Sequence, residues 1–378
     1  MKEVDVVSNH LFNTEPIDFM SQPLFLGDGR NISRLDLPLE PHISKATADA
    51  IGKLWFSGDF SPSKDAKDYI GNTSGLNRLF MKNLKFQTLL DSLAARSVAE
   101  VFLPITTNPQ LESWWYQHAF FENNIHSLSY ADILKGLPVD AKAIFDDIMV
   151  NENILARANS IVACFEDTVQ HNAKMVLRNS GIPIGYSISD HKKSIVMSLF
   201  ALNILEAVLF KSSFLTSFAF KENGMFSVAA DIISKIAQDE SGHYAMTINL
   251  INRLREDPNW AYIFHENSDV IDSLYRDALE ADYSWIEHLF EEEDVRLLGI
   301  NEAIVKQFVT ANLHSVMTSV KQPPIVDKID NPCKWANKYS RPSNIQTAQK
   351  EKTSGNYLLG IVATDTTPEF WANLPKGN

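Results

Sequence analysis

The run IVMSLFALNILEAVLF (195–210) constrains the fold of this chain more than any other stretch. It is apolar almost throughout, yet it contains Asn203 and Glu206. A membrane span needs ~20 predominantly apolar residues, so a shorter run with a carboxylate inside it reads as a helix buried within a protein. An ionised carboxylate buried without a partner is strongly destabilising. Glu206 therefore requires other polar groups to meet it at the centre of an apolar bundle.

Other helical stretches carry the same anomaly. Asp91 sits in TLLDSLA with apolar neighbours on both sides, and IAQDESGHY places Glu240 three residues before His243, one above the other on a helix face. FENNIHSLSY holds Glu122 four residues and Asn123 three residues before His126, with Tyr130 one turn further on. A single acid in an apolar helix ordinarily finds a salt bridge or reaches the surface, and an isolated ExxH pattern arises by chance. Four long helices that each contribute an acid, two with a histidine one turn away, are harder to dismiss. They match the arrangement of dinuclear carboxylate sites in ferritin-like four-helix bundles. Oxygen-rich ligation with two imidazoles suits iron or manganese better than zinc.

The remaining pattern agrees with an all-α fold. Helical periodicity predicts helices over about 77–105, 108–136, 140–150, 152–178, 192–221, 225–255, 268–291 and 299–321, while 179–191 reads as a loop. From about 322 the helical period is lost. Residues 1–340 are expected to form one ferritin-like domain and 341–378 a flexible tail. A net charge of −13 leaves no visible basic patch for nucleic acid. Two distant cysteines, Cys164 and Cys333, argue against a disulfide scaffold and fit a reducing cytoplasm. The N-terminus MKEVDVVSNHLF lacks the apolar core of a secretory signal, so a cytoplasmic location without membrane association is expected.

The sequence resembles the small, radical-generating subunit of class I ribonucleotide reductase. The likeness rests on ordered motifs through most of the chain: NLKFQTLLDS, IHSLSY, LEAVLFKSSFLTSFAF, IAQDESGHY, NPCKWANKY and NYLLG. The first 50 residues and the region 150–195 match less well. The resemblance implies that Asp91, His126, Glu206, Glu240 and His243 are metal ligands and that Tyr130 stands at the position of the family's stable tyrosyl radical. It implies that Phe210, Phe214 and Ile236 shield that radical, and that Trp55 and Asp239 belong to the internal radical-transfer route. The residues after Trp55 in GKLWFSGDF depart from the family's usual ones. Tyr357 and Glu351 match positions in the mobile tail, with Tyr357 a relay step toward the large subunit.

The family pattern has a glutamate three residues before the first histidine, where this chain has Asn123. Counted without a gap from Pro109, the glutamate falls on Glu122 instead. The chain then carries one extra residue between Glu122 and His126, which a helix absorbs as a π-bulge. Positions four apart also share a helix face, and neutral Asn123 would be a poor bridging ligand. Glu122 is the expected ligand.

By resemblance, the cofactor is a dinuclear metal centre, Fe2 in the first instance with Mn2 or Mn/Fe as alternatives, that uses O2 to form a tyrosyl radical on Tyr130. The implied partners are a second copy of the chain and the large subunit, reached through the tail. Two rival readings remain open: another di-iron oxidase such as a desaturase, or an iron store, and a degenerate metal-free homologue acting as scaffold.

Overall fold

Four long helices frame the centre of the molecule, and three of them start where the sequence supplies a local cap. The computed structural model describes residues 12–37, 39–152, 155, 158–291 and 299–340. The expected tail, 341–378, lies outside the described residues.

The first central helix, Ser74–Arg96, opens on Thr73, whose side chain accepts from the Leu76 amide. The second begins at Pro109 behind Asn108, which accepts from the amides of Gln110 and Leu111, and runs through Phe120, a π turn Phe121–His126 and Ser127–Lys135. Proline at the first helical position forfeits no hydrogen bond, because that amide would be unpaired anyway. The third, Ile188–Ile204, is capped by Ser187, and continues through a π turn Leu205–Leu209 into Phe210–Glu222. Its start precedes the expected residue 192 because Ser187 caps a turn that composition assigned to the loop.

The fourth central helix, Ser227–Glu256, begins differently. The chain reverses through Gly224, at φ +74°, and Phe226 is itself left-handed at φ 47°. Its first amides are satisfied by carboxylates from a distant segment: Asp68 accepts from Phe226 N at 2.8 Å, and Asp65 from Ala229 N at 2.7 Å. Two carboxylates at a helix N-terminus also complement its dipole.

Outer helices Asn159–Asn179, Ser268–Leu289 and Glu302–Ser319 complete the bundle. The helix expected over 152–178 is described from Asn159 onward. The predicted 77–105 helix is α-helical only to Arg96, then widens into a π turn, Ser97–Phe102. Among the described residues the one extended pairing is an isolated bridge between Phe25 and Thr106. The stretch Ile188–Glu222 has the length and hydropathy to cross a membrane, but 94% of its most apolar window is buried inside the protein. It is the core helix that its embedded Glu206 demanded.

Candidate metal centre

Each central helix contributes to one buried point. Ser74–Arg96 supplies Asp91, and the helix with the Phe121–His126 turn supplies His118, Glu122, His126 and Tyr130. The π turn Leu205–Leu209 supplies Glu206, and Ser227–Glu256 supplies Asp239, Glu240 and His243. Asp91, Glu122, His126, Glu206 and Glu240 have no exposed surface.

These side chains form two interleaved clusters, each with its ligand atoms within 4.8 Å of one another: Asp91, Glu122, His126 and Glu240, then His118, Glu122, Glu206 and His243. Two carboxylates straddle both halves. Glu122 presents Oε2 to His126 Nδ1 at 3.3 Å and Oε1 to His243 Nδ1 at 2.8 Å. Glu240 presents Oε1 to His126 Nδ1 at 3.2 Å and Oε2 to His243 Nδ1 at 3.3 Å. Asp91 Oδ1 lies 3.0 Å from the same His126 nitrogen. One imidazole nitrogen thus faces three carboxylates.

The π turn places Glu122 and Asn123 on different faces of the helix. The wider turn brings Glu122 onto the inward face with His126. Asn123 is exposed, and its amide donates to Asn124 Oδ1 at 2.7 Å.

The donor set fits a pair of divalent cations. Asp91 Oδ2, Glu122 Oε1, both Glu206 oxygens and Glu240 Oε1 are buried without an aligned hydrogen bond. Orphaned carboxylate oxygens of this kind are rare unless something binds them. Two divalent ions would also offset the negative charge of four buried carboxylates, which no buried lysine or arginine among the described residues does.

The electrostatics follow the same logic. Burial pushes Glu206 up to about 7, against the lowering influence of His118. Burial raises Asp91 well above the usual carboxylate range, reinforced by the charges of Glu122 and Glu240. At Glu122 burial is overcome by the surrounding imidazoles, His126 first, and the carboxyl falls well below its ordinary value. His243 rises to about 10 although burial opposes it, because Glu240 and Glu122 face it.

Tyr130 is fully buried, with its hydroxyl facing the Asp91 carboxylate. Burial, then the Asp91 charge, raises it well above a free phenol. Phe210, Phe214 and Ile236 lie in the same continuous apolar core, with the two phenylalanine rings stacked at 5.2 Å. On the far side of His126, Nε2 lies 3.2 Å from Asp239 Oδ2, and that oxygen accepts from Trp55 Nε1 at 2.7 Å. The Trp55 and His126 rings are near parallel at 6.5 Å. The structure therefore joins Trp55, Asp239 and His126 in one chain. Tyr357 and Glu351 lie outside the described residues.

Sequence reasoning missed His118. It is fully buried, with Nε2 3.0 Å from Glu206 Oε1 and 3.2 Å from Glu122 Oε1. The signal was present in HAFFE, a histidine four residues before Glu122 and therefore on the same helix face.

A family model described as "Ribonucleotide reductase, small chain" matches residues 38–332. The chain belongs to the ribonucleotide reductase small-chain family. It is 31% identical to the ribonucleoside-diphosphate reductase subunit beta of Haemophilus influenzae, over 93% of this chain and 95% of that one. The fold matches a ribonucleotide reductase R2 subunit from Clostridium botulinum at a TM-score of 0.73 and 19% identity, covering 89% of this chain and 99% of that one. It also matches the dimanganese(II)-NrdF of Streptococcus sanguinis at 0.64 and 18% identity, covering 83% and 100%. As a class I small subunit, the chain carries a dinuclear metal centre and works with a large subunit in making deoxyribonucleotides. The desaturase and iron-store readings leave this match through most of the chain unexplained, and the metal-free scaffold leaves the orphaned carboxylates unexplained.

Proposed function

We propose that this ribonucleotide reductase small subunit stores its oxidising equivalent on Tyr130 and exports it through His126, Asp239 and Trp55. The observation that carries the reading is the pair of straddling carboxylates, Glu122 and Glu240, each facing both His126 and His243. One ion would be held by Asp91, Glu122, His126 and Glu240, and the other by Glu122, Glu206, Glu240 and His243. Iron suits this donor set, and manganese shares its preference for carboxylate. Loaded with metal, the centre supplies the O2-derived oxidising power that removes an electron from a phenol.

The protein's own groups do the rest. Asp91, the carboxylate that acts most strongly on the Tyr130 hydroxyl, takes its proton as the phenol loses its electron. The apolar core that includes Phe210, Phe214 and Ile236 keeps water and reductants from the resulting radical. Asp239 Oδ2 accepts from Trp55 Nε1 and touches His126, so the electron that refills the Tyr130 radical enters along one hydrogen-bonded path while Asp91 returns the proton. The path continues to the large subunit through residues 341–378, with Glu351 and Tyr357 as its last stations on this chain. The subunit acts as a homodimer in the cytoplasm, in keeping with its two unpaired cysteines.

The test is reduction of ribonucleoside diphosphates by the metal-loaded protein with its matching large subunit. Trp55→Phe and Asp239→Asn should keep the tyrosyl signal and lose turnover by about 100-fold or more, as expected when a group needed in every cycle is removed. Normal turnover in both variants would rule out the route.

A further inference from the structure

The side chain that neither the family pattern nor the proposed ligand set uses is His118. It sits one turn before Glu122 on the helix that starts at Pro109, and its position at the centre of the bundle calls for an explanation. The ring has no exposed surface. Nε2 is 3.0 Å from Glu206 Oε1 and 3.2 Å from Glu122 Oε1, yet neither contact aligns as a hydrogen bond, and Nδ1 has no partner either. A buried imidazole with both nitrogens unsatisfied is unfavourable unless something else engages it.

Its neighbours leave little else for it to meet. The ring stacks on His243 with centroids 3.8 Å apart and planes 19° apart, and Trp115 and Trp114 line its remaining surroundings. The atoms His118 Nε2, Glu122 Oε1, Glu206 Oε1 and His243 Nδ1 converge around one point. The Asp91 half of the centre has a single imidazole, His126.

We infer that His118 is a direct ligand of the metal ion held by Glu206 and His243. The two positions are then chemically unequal. The first is carboxylate-rich with one imidazole, and the second has two imidazoles. Nitrogen donors favour iron(II) over manganese(II), both by ligand type and by the order of intrinsic affinities. His118 therefore biases the second position toward iron and leaves the first more permissive. The inference rests on the dinuclear reading above, and its test separates the two.

The experiment is a crystal structure of the full chain loaded anaerobically with Fe(II), with anomalous scattering to locate each ion, alongside metal analysis of wild type and His118→Gln. The expected result is Nε2 of His118 bonded to the second ion. His118→Gln should retain the ion beside Asp91 and His126 and lose about half of the total metal, because an amide is a weak substitute for imidazole. Equimolar Fe(II) and Mn(II) should load wild type with more iron than the variant. Full occupancy of both positions with the His118 ring turned away from the ion, or hydrogen-bonded only to Glu206, would overturn the inference and leave the dinuclear reading intact. Failure of either position to bind metal in wild type would overturn both.

Discussion

Glu122 and Asn123 are adjacent in sequence and opposite in fate. One is fully buried between two imidazoles, and the other is exposed beside Asn124. The difference is one of charge as well as direction. A carboxylate at that point helps neutralise a cation, whereas an amide would leave the charge of two divalent ions less well matched. Glu122→Ala should therefore lose most of its bound metal, and Asn123→Ala should bind as wild type does. Metal analysis after reconstitution checks this; loss confined to the Asn123 variant would reverse the assignment. Most of the acids at the site were legible because a charged residue in an apolar helix is conspicuous. His118 was not, since a histidine in WWYQHAFF carries no comparable warning and its relation to Glu122 emerges only once Glu122 is known to point inward.

At the scale of elements, the caps and periodicities that define the long helices could be read directly, as at Asn108 and Pro109. The π turns could not be read the same way. The Phe121–His126 turn was signalled only by a one-residue excess against the family spacing, and Leu205–Leu209, which carries Glu206, gave no signal at all. A π turn depends on tertiary packing that selects the wider turn, not on local propensity.

A second polar network ties outer helix Asn159–Asn179 to the start of the Glu206 helix. Asn172 uses its amide to donate to Val101 O at 3.0 Å, so its oxygen accepts from His191 Nε2 at 2.8 Å. His191 Nδ1 is then the acceptor for the Tyr186 hydroxyl at 2.9 Å, which requires a neutral ring. Burial, with the nearby His171 second, lowers His191 to about 4. Because the unfolded chain takes up this proton more readily, stability is fully present above an ordinary histidine value and falls as the pH drops toward 4. The loss amounts to roughly 3 kcal/mol. Urea midpoints between pH 7 and pH 4 should fall less steeply in His191→Gln than in wild type. Equal slopes would remove His191 from the account.

On the function proposed above, the whole molecule is a scaffold that keeps one reactive point dry and opens one route out of it. The apolar core is continuous around Tyr130 and includes Trp55, which is only 3% exposed. The sequence of 341–378 has little helical period, and NYLLGIV and PEFWANL place apolar and aromatic residues in a polar setting, the pattern expected of the proposed docking tail. Removing the residues after Gly360 should leave metal and radical intact and weaken binding to the large subunit at least about 10-fold. Tyr357→Phe should bind normally and fail in turnover, because its ring has no hydroxyl proton to move with the electron. Unchanged affinity after truncation would remove the tail as anchor, and normal turnover by the Tyr357 variant would remove the relay.

That Tyr130 holds the radical is the proposal on which the rest of the route depends. It is tested most directly by the EPR spectrum of wild type and Tyr130→Phe after anaerobic loading with Fe(II) and exposure to O2, with metal content measured on the same samples. Equal metal in both proteins, with a tyrosyl signal in wild type that is absent from the variant, is the predicted result. An identical tyrosyl signal in Tyr130→Phe would contradict it.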